Sequence, residues 1–379
     1  MSTKLSKVLQ ITVVIVTVVS GLLITSCARK NDANKKIEFA AILTLTGPTA
    51  YLGEDEKFGI QTALESAGGD AAPISFVFED CQGKADVAVT AARKQMDFSK
   101  RQFFAVFTTT PVLATLPMFK DSGKDLFVVA QCMLPKVTVG YPFAYRTYAN
   151  SDEETDLLSQ YAVEKKFKRV AGLHMSNRFG EEGVKTFKSK FELADNVVPK
   201  IESFSFADKD FRGVLEKLRS TQPDALIIYA YSTTFPIIFR QMQEMGWTIP
   251  VLANCDMALG GIKESVPNDF LKNVVFPAPR YYFSPYDPKI IAFNKLIREK
   301  GREPNFDIGY SYDMTKILIA AARKAKDNTP SSFAEAVRTV MPFDGVTGRI
   351  TLDKNRDTRA DMKLVHWAES GIEIVWETK

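Results

Sequence analysis

The sequence predicts an α/β protein of two lobes, each an open and mostly parallel sheet, and three observations carry that expectation. From Ile37 onward, short apolar runs alternate with polar turns and segments of helical period, the pattern of parallel strands joined by crossover helices. The alternation runs through twice, with a fresh series after Asn150. The 379 residues also exceed the roughly 250 to 300 at which one hydrophobic core stops growing. A chain that is 45% hydrophobic and 25% charged has the composition of a folded globular protein, which excludes fibrous and disordered classes. Lys+Arg number 49 against 45 for Asp+Glu, a net +4. Lys4 and Lys7, in a first 26 residues without an acid, supply two of these charges; the remaining +2 is too small and dispersed for a nucleic-acid surface.

The amino terminus reads as targeting rather than fold. Lys4 and Lys7 precede a charge-free stretch from Val8 to Ala28 rich in Val, Ile and Leu, which suits an export signal or, at roughly 18 residues or more, a membrane span. It ends in Ile24-Thr25-Ser26-Cys27, where small residues before a lone cysteine resemble a bacterial lipobox. On that reading residues 1–26 are removed and Cys27 is lipidated. The polar residues 27–36 then tether a membrane-anchored, extracytoplasmic body, periplasmic or at the cell surface. An uncleaved span with an incidental cysteine is the alternative. Cys81, Cys132 and Cys255 remain in the body, an odd number in an oxidising compartment, so at most one internal disulfide forms. No CxxC or His–Cys spacing marks a zinc site, the only histidines are His174 and His366, and no cofactor is expected.

In the first series, strands are predicted at Ile37–Leu45, Ile74–Glu79, Phe103–Phe107 and Leu126–Ala130. Helices are predicted at Glu54–Ala67, Ala85–Ser99 and Val112–Lys120, where apolar residues recur every three or four positions. The second series has predicted strands near Val170–His174, Ile201–Phe206, Ala225–Ala230 and Val251–Ala253. Its predicted helices are Glu153–Lys166, Glu181–Leu193, Phe211–Ser220 and Pro236–Met245. A turn-rich Pro277–Pro288 region leads to predicted helices at Pro288–Lys300, Ile308–Ala325 and Ser332–Val340. Short strands are expected last, at Gly348–Leu352, Lys363–Trp367 and Ile372–Trp376.

The two series echo each other at one place. Phe104-Ala105-Val106-Phe107 runs into Thr108-Thr109-Thr110-Pro111, and Ile228-Tyr229-Ala230-Tyr231 runs into Ser232-Thr233-Thr234-Phe235-Pro236. Each is a buried-type strand followed by hydroxyl residues and a proline early in a helix. Such junctions lie at the carboxyl ends of parallel strands, where open α/β sheets bind ligands and free backbone N–H groups favour an anion or acceptor oxygen. Plain helix capping explains either junction alone. Their pairing points to a shared cleft.

Four sequence blocks carry a resemblance over about Ile37 to Val375. They are Ile42-Leu43-Thr44-Leu45-Thr46-Gly47-Pro48 followed by Gly53 and Gly59; Phe179-Gly180-Glu181-Glu182-Gly183; Asp210-Phe211 with Pro223-Asp224-Ala225; and Gly345-Val346-Thr347-Gly348-Arg349-Ile350. In their order and spacing they resemble the type I periplasmic binding proteins related to leucine/isoleucine/valine-binding protein. The resemblance implies two Rossmann-like lobes joined by a three-crossover hinge near Tyr148, Pro279 and Asp344. Residues 37–147 plus 279–343 would form the amino-terminal lobe, and 148–278 plus 344–379 the carboxy-terminal lobe. It further implies a monomer that closes on a small organic ligand and hands it to an ABC permease. A sensor that feeds a membrane signalling partner is the alternative. Enzyme activity is not expected: GxGxxG after the first strand, GxxxxGK[ST], HExxH and GxSxG are all missing from the sequence.

Carried over residue by residue, the resemblance places Thr109, within Thr108–Thr110, at a hydroxyl position that binds a ligand carboxylate, and Tyr231 on an aromatic position of the second lobe. Phe179 keeps an aromatic wall without a tyrosine hydroxyl. Cys132, Met133 and Leu134 occupy the loop in which the family holds the ligand's ammonium, and the Leu134 side chain offers no acceptor. Asp256, or Cys255 in an equally good alignment, falls where an acidic partner is expected. These departures favour an apolar or aromatic carboxylate over a polar amino acid, with a branched-chain-type amino acid still open. Arg178 either adds a bidentate contact to such a carboxylate or is an exposed loop residue. Arg146 is expected to brace the hinge. Cys132, Met133, Met175, Cys255 and Met257 admit a soft metal near the cleft, but all five are also ordinary packing residues.

Overall fold

The computed structural model describes residues 36–259, 261–359, 361–369 and 371–376; the export segment and Cys27 lie outside them. The first lobe is built from β1 (Ile37–Leu43), α1 (Ala50–Ser66), β2 (Ile74–Asp80), α2 (Ala85–Arg93), β3 (Phe103–Phe107), α3 (Thr109–Asp121), β4 (Phe127–Gln131) and β5 (Ala144–Arg146). Its five strands are all parallel in the order β2-β1-β3-β4-β5. Both faces of this sheet are covered, which is why its strands are apolar runs rather than alternating ones. Phe39, Phe103 and Phe127 point to one face and Ala40, Phe104 and Val128 to the other, the two-residue period separating two apolar clusters.

The second lobe contains α4 (Ser151–Glu164), β6 (Val170–Met175), α5 (Arg178–Phe191), β7 (Ile201–Phe204), α6 (Arg212–Arg219), β8 (Ala225–Tyr229), α7 (Phe235–Glu244), β9 (Val251–Ala253) and β10 (Val274–Pro279). The chain then returns to the first lobe as α8 (Pro288–Glu299), α9 (Phe306–Lys324), α10 (Pro330–Val340) and the small strands β11 (Phe343–Asp344), β12 (Arg349–Leu352) and β13 (Thr358–Arg359). Phe333 of α10 wedges among Phe39, Phe103 and Phe127, with ring centroids 4.7 to 5.7 Å away. Finally β14 (Met362–Ala368) and β15 (Gly371–Trp376) add antiparallel strands, completing a seven-stranded sheet in the order β15-β14-β10-β9-β8-β6-β7.

Two expectations change. The turn-rich reading of Pro277–Pro288 does not hold at its start, since Pro277–Pro279 end the central strand β10. Only Val274 and Val275 pair with β9, and the prolines lie beyond that segment, opposite Leu364 and Met362 of β14. The third passage between lobes lies between β13 and β14, and not at Asp344. Phe343, Ile350 and Leu352 pack into the first lobe's apolar cluster, so residues 343–359 stay there although 344–379 were expected wholly in the second lobe. Arg146 braces the hinge as anticipated. Fully buried, it donates to the carbonyls of Cys132, Tyr148, Ala149 and Thr358 at 2.9 to 3.1 Å and pairs with Asp357 at 3.3 Å, which ties the first passage to the third.

Candidate functional site

The strand ends of both lobes meet at an interlobe cleft. On the first lobe, β3 passes into α3 through Thr108, whose φ of +62° is in the left-handed region that threonine rarely adopts. Such strain costs on the order of 1–3 kcal/mol and is characteristic of functional turns. The Thr108 backbone N–H donates to Gln131 O at 2.9 Å and its hydroxyl to Phe107 O at 2.7 Å. The hydroxyl therefore does not cap α3, and the N–H groups of Thr109 and Thr110 face outward from the first turn without helical acceptors. Thr108 and Thr109 line the cleft.

The end of β4 contributes Gln131, Cys132 and Met133. Gln131 Nε2 donates to Ser311 Oγ of α9 at 2.9 Å, and Oε1 has no partner. Burial pushes the Cys132 thiol up to about 12, so it is a neutral apolar surface rather than a reactive one. From α1 come Leu52 and Glu56, one turn apart. Gly53 between them lets the helix sit on β1's end, since a Cβ there would stand 2.0 Å from Thr44 O. Glu56 is buried with Oε2 unpartnered; burial raises its carboxyl well above the ordinary range, and Asp307 and Asp55 add to this.

The second lobe opposes this with rings and an acid. Asn177 caps α5 through Gly180 N at 2.9 Å, and Phe179 in that first turn stacks on Tyr231 with centroids 5.7 Å apart and planes 7° from parallel. The turn Cys255–Ala258 after β9 carries Asp256. Glu154 fixes that turn by accepting the Cys255 N–H at 3.1 Å, and Trp367 Nε1 donates to Met257 O at 2.7 Å. Burial, then repulsion from Asp307 and Glu154, holds the Asp256 carboxyl well above its usual range. At the first passage, Tyr148 lines the cleft and donates its hydroxyl to Asp307, whose carboxyl burial pushes up to about 7.

The lobes are closed on each other. Leu52 and Met133 of the first lobe pack into the second lobe's apolar cluster, and Tyr51 and Ser232 hydroxyls meet across the gap at 3.2 Å. The closed cleft holds a cavity of about 40 Å³. Thr108, Thr109, Cys132, Met133, Phe179, Tyr231 and Asp256 of the expected residues are brought together, and Asp256 rather than Cys255 faces the cleft. Three expected residues do not reach it. Thr110 is not among the lining residues, and Leu134 packs in the first lobe's apolar cluster. Arg178 has a side chain 56% exposed and pairs with Glu182 at 2.9 Å and Glu181 at 3.6 Å, so its charge is satisfied on its own helix. Leu52, Glu56, Gln131 and Tyr148 line the cleft without having been anticipated there. The signals were the 52/56 helical spacing behind the Gly47-Pro48 loop and Gln131's place as a polar residue ending an apolar strand. The three body cysteines are all free and buried.

No lining residue of this cleft is Lys, Arg or His, whereas two are acids. The wall of rings and aliphatic groups can enclose an apolar moiety, the acids a cationic group, and the α3 turn an acceptor or anion.

Two lobes with parallel sheets, three passages between them and a closed cleft at their strand ends define a type I periplasmic binding protein. The family model described as "periplasmic binding protein" matches residues 36–371, and the chain belongs to that family. The chain is 22% identical over 356 residues to a leucine-, isoleucine-, valine-, threonine- and alanine-binding protein of Pseudomonas aeruginosa, covering 92% of this chain and 94% of the relative. Its fold is similar to that of a leucine-binding protein from Thermotoga maritima, with TM-score 0.78, 22% identity and coverage of 89% and 97% of the two chains. It is equally similar, at TM-score 0.78, to a solute-binding protein of an ABC transporter from Rhodopseudomonas palustris in complex with 3,4-dihydroxybenzoic acid, at 19% identity and 89% and 95% coverage.

Proposed function

We propose that the protein is the lipid-anchored, extracytoplasmic solute-binding component of an ABC importer, attached through Cys27, and that it closes as a monomer on an amino-bearing solute for delivery to a permease. The ligand's ammonium lies against Asp256, its carboxylate against Thr109 and the exposed N–H groups of the α3 turn, and its carbon skeleton against Phe179, Tyr231 and Met133. The observation that carries this reading is the charge of the cleft: two buried carboxyl groups and no basic side chain among the lining residues. A carboxylate-only solute such as 3,4-dihydroxybenzoic acid would be closed in with those acids, with only a helix terminus to offset it. The amine reading therefore replaces the preference for an apolar carboxylate that Leu134 suggested, and Leu134 does not reach the cleft.

The two ligand classes predict opposite pH dependence. In the empty cleft the acids hold protons above the ordinary carboxylate range, so binding an ammonium releases protons and tightens as pH rises. A carboxylate ligand favours the protonated acids and binds more tightly as pH falls. Calorimetric titration of L-leucine and benzoate at pH 5.5 and 8, in buffers of different ionisation enthalpy, counts the protons. Amino-acid affinity rising with pH, with proton release, is the expected result; benzoate affinity alone, rising toward acid, sinks the proposal.

A further inference from the structure

We propose that Glu56 and Gln131 form a second polar subsite in the cleft, which receives a cationic N–H group on the ligand's side chain, so that the protein prefers a basic amino acid to a plain branched-chain one. This rests on the amine reading above and extends it to the other end of the ligand. Both residues belong to the first lobe, across from Asp256: Glu56 comes from α1 and Gln131 from the end of β4, and they line the same cleft at 3% and 1% exposure. Each has an acceptor without a donor, Oε2 of Glu56 and Oε1 of Gln131. The Gln131 amide nitrogen is committed to Ser311 Oγ at 2.9 Å, so its open atom is the oxygen. A buried acceptor left unpaired costs about 1–3 kcal/mol, more when charged, and folded interiors seldom leave two in one cavity.

Glutamine cannot relieve this by taking up a proton; a donor has to reach it from outside the protein, and a ligand N–H supplies one. A branched-chain side chain presents only C–H groups there. A side-chain ammonium supplies up to three N–H donors and also offsets the Glu56 carboxylate. The charge count agrees. Asp256, Glu56 and the ligand carboxylate bring three negative charges when ionised, against a single positive charge on a neutral amino acid and two on a basic one. Leu52, Met133 and Tyr148 border the same cleft and can cover the intervening methylenes.

The test compares L-ornithine with L-norleucine, which has the same chain length and a methyl group in place of the distal ammonium, by calorimetric titration of the protein from Ala28 onward. Ornithine is expected to bind at least about tenfold more tightly, consistent with one buried charge-assisted contact. Gln131→Leu and Glu56→Gln should each narrow that ratio to about threefold or less by weakening ornithine more than norleucine, a split that a general packing defect would not produce. Thermal melting confirms that each variant is folded, and Gln131→Leu carries the test if Glu56→Gln is not. Norleucine binding as tightly as ornithine, or an unchanged ratio in the folded variants, overturns the second subsite and leaves the amine reading standing. Binding of benzoate with no amino acid bound overturns both, as does failure of every amino acid to bind.

Discussion

The two strand-to-helix junctions look alike in sequence and do different things in the structure. At Phe107–Pro111 the chain turns through a left-handed threonine, which directs the Thr108–Thr109 segment and the first N–H groups of α3 at the cleft. At Tyr231–Pro236 the backbone stays in ordinary regions: Thr234 has φ −91° and ψ −34°. Here Tyr231 is the residue that reaches the cleft, while Ser232 meets Tyr51 of the opposite lobe and Thr234 is buried outside it. In neither junction does a threonine side chain cap its helix. The shared pattern of strand, hydroxyls and proline thus specifies a turn at a strand's end, and one backbone dihedral decides whether hydroxyl or ring faces the ligand. The acids are divided just as unevenly. Neither junction contains one; the cleft's two carboxyl groups stand on α1, Glu56, and in the turn after β9, Asp256, with Asp307 of α9 and Glu154 of α4 buried close behind.

That placement predicts the largest effect. Burial pushes Glu154 up to about 7 from an ordinary 4.5, and Asp307 up to about 7 from 3.8. Both groups hold protons more tightly folded than unfolded, so the stability they contribute is fully present below about pH 4 and is lost as pH rises through 7. Each shift corresponds to roughly 3–4 kcal/mol across that window. The empty protein should melt several degrees lower at pH 8 than at pH 5.5 by scanning calorimetry, with Glu154→Gln flattening the difference. An empty protein that melts higher at pH 8 would contradict the burial of these acids. Next in size is Tyr231→Ala, which removes the ring stacked on Phe179 and should weaken binding by about 2–3 kcal/mol, on the order of 30- to 150-fold. Its far-ultraviolet circular dichroism should be unchanged. Normal affinity would mean that the second junction only latches the lobes.

The fold was legible because apolar runs of parallel strands and helical periods survive in a single sequence; β1, β3, β4, β6, β8 and β9 lie where the runs do. β10 escaped because two prolines imitate a turn, and their tolerance depends on where β9 stops pairing, which is a tertiary fact. The third passage was displaced because Ile350 and Leu352 read equally well as strand in either lobe, and only the first lobe's open apolar face decides. Within the site, Thr109, Tyr231 and Asp256 follow strands whose ends point to the cleft, and it was the family resemblance that marked those positions, with Cys255 an equal alternative to Asp256. Glu56 was missed because an acid in the polar phase of a helix looks solvated; its burial comes from α9 and the second lobe closing over α1. Arg178 failed for the converse reason: Glu181 and Glu182 sit one turn along the same helix and claim its charge.

Smaller effects separate the junctions further. Thr109→Val keeps the shape and removes one hydroxyl, so binding should weaken by about 1 kcal/mol, roughly fivefold, with the backbone N–H groups still holding the ligand. Thr234→Val, its counterpart in the second lobe, should change affinity by less than about twofold, because that hydroxyl neither caps nor reaches the ligand. The latch gives the finest discrimination. Ser232→Ala and Tyr51→Phe each remove one partner of a single interlobe hydrogen bond, and each should weaken binding by about 0.5–1.5 kcal/mol through the closed state alone. The double variant should then lose no more than the larger single loss, since the second substitution removes a bond already gone. Fully additive losses would show that the two hydroxyls act separately, and Ser232 would then join Thr109 as a proposed ligand contact.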